Sequence, residues 1–145
     1  EETTRCNCGN YGCVEQYCSA TGIVRLAKMY LTEKAITTGL GALENLTCKD
    51  IFDAGKAGDT LANEILQMYY ARLGEFLGNL CCLLNPEVVV LGGGVTKAGQ
   101  VLLDGVEPYF RKNTFHACDN AKIVLASLGN DAGAYGAFKL VLDAQ

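Results

Sequence analysis

No stretch of 18 apolar residues occurs in the sequence: the most apolar region, residues 80–91, is interrupted by Asn85, Pro86 and Glu87, so a membrane-spanning helix is excluded. Basic charge is scarce as well. Twelve Lys and Arg against 16 Asp and Glu leave a net charge of −4, which argues against a surface that gathers nucleic acid or anionic lipid by counter-ion release. The chain opens on Glu-Glu-Thr-Thr-Arg-Cys without a basic segment followed by an apolar stretch, so no secretory signal is visible and the expected compartment is the cytoplasm. No self-similarity at 20 to 50 residues and no low-complexity segment is found, which excludes solenoids and linker arrays. Histidine is reduced to one residue, His116, which has no ligand pattern around it and reads as a surface or core imidazole.

What is present is the composition of a globular protein: half of the 145 residues are apolar and 19% are charged, enough for one domain with its own core. Small-molecule or protein partners fit that balance best. Of eight cysteines, Cys18, Cys48, Cys81, Cys82 and Cys118 fall in helical or apolar settings with irregular spacing, and they read as buried thiols rather than as a disulfide framework.

Local signals divide the chain into blocks. A Gly- and Cys-rich loop over residues 6–13 runs into a helical pattern carried by Val14, Tyr17, Ile23, Leu26, Ala27 and Tyr30, with Ser19 and Gly22 as points of interruption. After a Gly-containing loop over 37–41, Thr47 followed by Asp50 predicts a helix start, and Asp59 predicts the cap of a longer helix. That helix carries Leu61, Ile65, Tyr69, Leu73, Phe76, Leu80 and Leu84 on one stripe and stops at Asn85-Pro86. Residues 87–91, with Val88, Val89 and Val90 in succession, read as a parallel strand covered on both faces, ended by Gly92, Gly93 and Gly94. A helix follows through Val101, Leu102, Val106, Tyr109 and Phe110, with a break expected at Asp104-Gly105 because of Pro108. A second strand over 123–126 comes next, and then a helix over 131–142 whose Ala and Gly residues let its backbone approach a neighbour or ligand. Strand, helix and strand with Gly-rich strand ends are the grammar of an α/β fold, but two strands make an incomplete sheet, and the remaining strands are expected upstream.

Two places carry chemistry. Cys6-Asn7-Cys8-Gly9-Asn10-Tyr11-Gly12-Cys13 puts three thiols in eight residues with glycines that let the loop curl, and soft sulfur at this density selects zinc. Three unrelated thiols or a disulfide is the bland reading of the same residues. Glu15, two residues past the loop, is either a solvated glutamate favoured by the helix dipole or an acceptor pinned for hydrogen bonds. Gly92, Gly93 and Gly94 fit neither a P-loop nor a dinucleotide fingerprint. At the carboxyl end of a parallel strand they allow a purine or phosphate to approach the backbone, or they merely reverse the chain.

The run from Cys6 through Cys13-Val14-Glu15-Gln16-Tyr17 resembles the zinc loop and following helix of ROK proteins, which comprise repressors, uncharacterised reading frames and sugar kinases. The resemblance continues through Asn85-Pro86-Glu87-Val88-Val89-Val90-Leu91-Gly92-Gly93-Gly94-Val95-Thr96 and through Gly129-Asn130-Asp131-Ala132-Gly133-Ala134-Tyr135-Gly136-Ala137. It implies an α/β fold, part of a ribonuclease-H-like domain of the actin and hexokinase type, helix-rich with a small parallel sheet and an N-terminal zinc loop. In that frame residues 6–13 form the zinc loop, 14–84 a helical part and 87–142 a nucleotide-side unit. It further implies structural zinc on Cys6, Cys8 and Cys13 with a histidine before Glu1 as fourth ligand, Glu15 as a ligand for sugar hydroxyls, and Gly92, Gly93 and Gly94 as part of the adenosine pocket. The function so implied is ATP- and Mg²⁺-dependent phosphorylation of a hexose at its 6-hydroxyl, glucokinase-like, in a longer homodimeric protein whose catalytic residues lie upstream. A sugar-responsive transcriptional repressor of the same family, with a DNA-binding domain upstream, is the alternative.

Overall fold

The structure is a computed structural model and describes residues 4–37 and 39–144; Thr38, within the loop expected over 37–41, lies outside them. Helix α1 (Glu15–Cys18) is a single turn, and α2 (Ala20–Glu33) restarts at once. The break is local chemistry. Ser19 is extended at φ −89° and ψ 172°, and its side chain accepts from the Gly22 N–H, so it ends one helix and caps the next. Helix α3 (Cys48–Lys56) begins with a full capping box: the Thr47 side chain accepts from Asp50 N–H while the Asp50 carboxylate accepts from Thr47 N–H. Asp59 caps α4 (Thr60–Leu84) through the Ala62 N–H, and Asn85 ends it in the left-handed conformation just before Pro86. At 25 residues α4 is about 37 Å long.

Strand β1 (Val88–Leu91), α5 (Gln100–Asn113) and β2 (Lys122–Leu125) form a unit of strand, helix and parallel strand, with Val88 opposite Lys122 and Leu91 opposite Leu125. Helix α6 (Ala132–Asp143) closes the described chain. The core lies between the helices: Ile23 and Ala27 of α2, Ile51 of α3, Ile65 and Tyr69 of α4, and Leu102, Val106 and Phe110 of α5 are fully buried. Small residues let α4 and α5 meet backbone to backbone. A Cβ on Gly74 would lie 2.5 Å from Tyr109 Cβ, and one on Gly78 would lie 2.8 Å from the Asn113 carbonyl carbon.

Four expectations need correction. The stripe of α4 is wider than one heptad-like line, because Leu66, Tyr70, Leu77 and Cys81 are buried too while Leu84 at the far end is 68% exposed. The sheet is not covered on both faces: Val89, Leu91 and Leu125 pack on the core, but Val88, Val90 and Val124 face outward, since all packed helices lie on one side. No break occurs at Asp104-Gly105. Pro108 lies inside a continuous α5, where it offers no N–H to the Asp104 carbonyl, and the helix holds because Leu102, Val106 and Phe110 anchor one face while Gly105 fits against the Tyr70 ring. Finally, Cys82 is exposed and Cys18 and Cys48 are only half-buried, leaving Cys81 and Cys118 as the buried thiols.

Candidate functional site: a three-thiol loop, a held carboxylate and a glycine turn

The cysteine loop closes on itself through short-range hydrogen bonds. Arg5 and Tyr11 form an antiparallel bridge, Cys6 N–H donates to Asn10 O at 2.8 Å, and the Arg5 side chain donates to Gly9 O at 3.0 Å. Gly9, at φ +94°, makes the turn that other residues resist. The result brings Cys6, Cys8 and Cys13 together with all three sulfurs within 4.8 Å of one another, and Cys8 Sγ and Cys13 Sγ 3.4 Å apart. Thiolates on a tetrahedral ion at 2.3 Å would stand about 3.8 Å from one another, so the trio fits three corners of such a site. Hydrogen bonding from the Asn10 backbone, aided by the neighbouring thiols, pulls Cys8 below its ordinary value, while the hydrogen-bonded Cys8 and Cys6 sulfurs push Cys13 up to about 12. Neighbouring thiolates oppose one another's ionisation, and a cation among them would relieve that repulsion. The expected grouping of these three residues is therefore present, and it could hold a metal ion.

Glu15 opens α1 immediately after the loop. Its Oε1 accepts from Ser19 Oγ and from Thr21 Oγ1, each at 3.1 Å, and its Oε2 lies 3.9 Å from Cys6 Sγ. Glu15 itself stays exposed, on the wall of a shallow cavity of about 230 Å³ that also touches Arg5, Asn7 and Arg25. A carboxylate whose rotamer is set by two hydroxyls is a pre-oriented acceptor for further O–H donors. The next residue, Gln16, is buried and donates from Nε2 to Thr4 O at 3.0 Å, which ties α1 to the segment leading into the loop. The Tyr69 hydroxyl donates to Cys18 O at 2.9 Å, fixing the other end of α1 to the long helix α4.

Gly92, Gly93 and Gly94 follow β1 directly. Gly93 takes φ +86° and ψ −173°, a conformation denied to side-chain-bearing residues, and Thr96 Oγ1 donates to its carbonyl at 2.7 Å. Residues Gly94–Ala98 then form a short 3₁₀ turn. Between this turn and α3 lies an apolar cavity of about 200 Å³, lined by Cys48, Phe52, Val95, Lys97 and Ala98. The small residues of α6, by contrast, approach nothing: a Cβ on Gly133 or Gly136 would have no neighbour within 4 Å, and no residue of α6 is buried. His116 sits in a short turn against the Phe115 ring, away from the three thiols.

Sequence reasoning found the cysteines, Glu15 and the glycines but missed what holds them. Ser19 counted only as an interruption, and Thr21 and Gln16 were not singled out. The spacing of four from Glu15 to Ser19, one helical turn, was the available signal. The apolar cavity had none, because α3 and the glycine turn meet only in three dimensions.

The profile of the ROK family matches residues 1–144. The chain belongs to the ROK family. It is 41% identical over 140 residues to a glucokinase of Halalkalibacterium halodurans, an alignment covering 94% of this chain and 42% of the relative. Similarity also extends to the DNA-binding transcriptional dual regulator NagC of Escherichia coli, 31% identical over 137 residues, 94% of this chain and 33% of the relative. Among solved structures, a ROK family glucokinase from Streptomyces griseus, crystallised in complex with glucose and AMPPNP, superposes with a TM-score of 0.80 at 30% identity, covering 93% of this chain and 46% of that one. The chain thus spans less than half the length of these relatives, and its helix-rich architecture with a small parallel sheet is shared with a ROK family glucokinase. No helix among the described residues is long and apolar enough to cross a membrane.

Proposed function

We propose that these residues are the C-terminal part of an ATP-dependent hexose kinase of the glucokinase type, which transfers phosphate to the 6-hydroxyl of glucose or a related hexose. The observation that carries this reading is Glu15, an exposed carboxylate held by Ser19 and Thr21 beside the cysteine loop, in a chain 41% identical to a glucokinase. In it Glu15 accepts hydrogen bonds from ring hydroxyls and fixes the sugar's orientation, and transition-state proximity depends on that orientation. Cys6, Cys8 and Cys13 hold zinc, with a histidine upstream as the fourth ligand. The ion supplies a structural cross-link that keeps the loop, and so Glu15, in place. Gly92, Gly93 and Gly94 seat the adenosine of ATP, since only a turn without side chains lets a purine or ribose lie against the strand end.

Residues 6–13 are then the metal loop, 14–84 the helical part and 87–142 the nucleotide-side unit of a longer cytoplasmic protein. Phosphoryl transfer also needs a positioning group for the attacking hydroxyl, a phosphate cradle and Mg²⁺, and none of these is assigned to this chain. Self-association as a homodimer belongs to the same reading, and the bare apolar surface at Leu83, Leu84 and α6 is available for it. The test is a kinase assay on the intact protein with glucose and Mg·ATP. Formation of glucose 6-phosphate is the expected result; sugar-dependent DNA binding without phosphoryl transfer would replace this reading with that of a repressor.

A further inference from the structure

The two hydroxyls that hold Glu15 are not equivalent. Glu15 Oε1, Ser19 Oγ and Thr21 Oγ1 stand in a triangle with sides of 3.1, 3.1 and 2.8 Å. A carboxylate only accepts, so two protons, one from each hydroxyl, serve its three sides. The charged acceptor draws both inward, and both are spent inside the triangle. The lone pairs are where the two residues differ. Ser19 Oγ already accepts from Gly22 N–H at 2.9 Å as the cap of α2, whereas no donor other than Ser19 reaches Thr21 Oγ1 among the described residues. Thr21 thus keeps an open acceptor position on an oxygen that has no proton left to give.

Thr21 is exposed and lines the same cavity of about 230 Å³ as Glu15. Glu15 Oε2 is open as well, with Cys6 Sγ no nearer than 3.9 Å. Ordinary ligand pockets run to about 300–1,000 Å³, so this cavity has the size of one wall of a site. Arg5 and Arg25, on the same wall, carry side chains that only donate. The backbone fixes the spacing of the two acceptors. Gly22, next to Thr21, packs so closely on α1 that a Cβ there would lie 2.9 Å from Glu15 O and from Gln16 O, and the Tyr69 hydroxyl pins Cys18 O at 2.9 Å between them. Thr21 Oγ1 is therefore held 3.1 Å from the carboxylate, close to the spacing of neighbouring hydroxyl oxygens on a pyranose ring.

The geometry points to Thr21 as a second sugar contact: Glu15 takes one ring hydroxyl and Thr21 Oγ1 accepts from the neighbouring one, so that together they select a sugar with two adjacent free hydroxyls. This rests on the sugar-kinase reading above. Thr21 then has two duties, donating to the carboxylate on one side and accepting from the sugar on the other.

The experiment is a calorimetric titration of the intact protein with glucose and with a set of monodeoxyglucoses, each lacking one ring hydroxyl. Thr21→Val, which keeps the branched shape and removes the hydroxyl, weakens glucose binding by about fivefold, the scale of one neutral hydrogen bond. It spares one monodeoxyglucose, whose affinity stays within about twofold of that for the unaltered protein because the partner hydroxyl is already missing. Glu15→Ala spares a different monodeoxyglucose most, and the two hydroxyls so identified are neighbours on the ring. Thr21→Ser, which puts the hydroxyl back, restores the affinity for glucose. Equal weakening of glucose and of every monodeoxyglucose by Thr21→Val would mean that Thr21 acts only through the Glu15 carboxylate. That result overturns the inference, as does unchanged glucose affinity or a pair of hydroxyls that are not neighbours, and each leaves the sugar-kinase reading standing. Failure of the unaltered protein to bind glucose overturns that reading and the inference with it.

Discussion

Helices α5 and α6 are of similar length and opposite in setting. Helix α5 is the more polar of the two, yet it buries Leu102, Val106 and Phe110 completely and lies against Gly74 and Gly78 of α4, whereas the more apolar α6 buries nothing and leaves Phe138 and Leu140 at 65% and 73% exposure. Burial here follows what each helix meets and not its apolar content. Glycines at the joint of α4 and α5 are where backbones already touch; Gly133 and Gly136 offer a surface that nothing among the described residues uses. The outward face of the sheet at Val88, Val90 and Val124 is apolar and exposed as well, and both surfaces are suited to meeting more polypeptide, in line with relatives more than twice as long.

The sharpest way to break this comparison is to make one substitution in both places in the 145-residue chain. Gly74→Ala drives a methyl into Tyr109 Cβ at 2.5 Å and the Phe110 nitrogen at 2.7 Å, and because backbone cannot step aside it should cost about 2–3 kcal/mol in denaturant unfolding. Gly22→Ala, whose methyl would meet backbone atoms of Glu15 and Gln16 at 2.9 Å, should cost about 2 kcal/mol and disturb the Glu15 carboxylate as well. Smaller is the loss of the α3 cap: Thr47→Ala should cost about 1 kcal/mol. Hydrogen bonds from the Thr47 side chain and backbone hold Asp50 below the ordinary carboxylate value, so this contribution is present above that value and disappears as pH falls through the lowered one; Thr47→Ala should flatten that part of the acid limb of an unfolding curve. Smallest, and opposite in sign, is Gly136→Ala, which meets nothing within 4 Å and should stabilise α6 by about 0.5–1 kcal/mol through backbone entropy. Gly74→Ala and Gly136→Ala moving stability in the same direction would end the distinction.

Legibility followed the range of the interaction. The start of α3 at Thr47 and Asp50, the start of α4 at Asp59, its end at Asn85-Pro86 and the break at Ser19 were all readable, because each is decided within four residues. Pro108 misled because a single lost hydrogen bond is outweighed by the burial of Val106 and Phe110, which depends on a helix distant in sequence. Val88, Val89 and Val90 misled because a β-branched run has the same look whether one face or two are covered. In the site, the three cysteines stood out through density within eight residues, and Glu15 through its place beside them. What was illegible was the support: the hydroxyls of Ser19 and Thr21 and the Tyr69 hydroxyl on Cys18, all supplied by residues of ordinary type.

The proposed grip of the Glu15 carboxylate on a sugar rests on two hydroxyls that steady it beside the cysteine loop. It is tested most directly by titrating glucose into the intact protein and its Glu15→Ala variant in a calorimeter, with metal content measured on both. Loss of a charged hydrogen-bond acceptor should weaken glucose binding by at least about tenfold, with the metal content unchanged. Equal affinity for glucose in the two proteins would contradict the account.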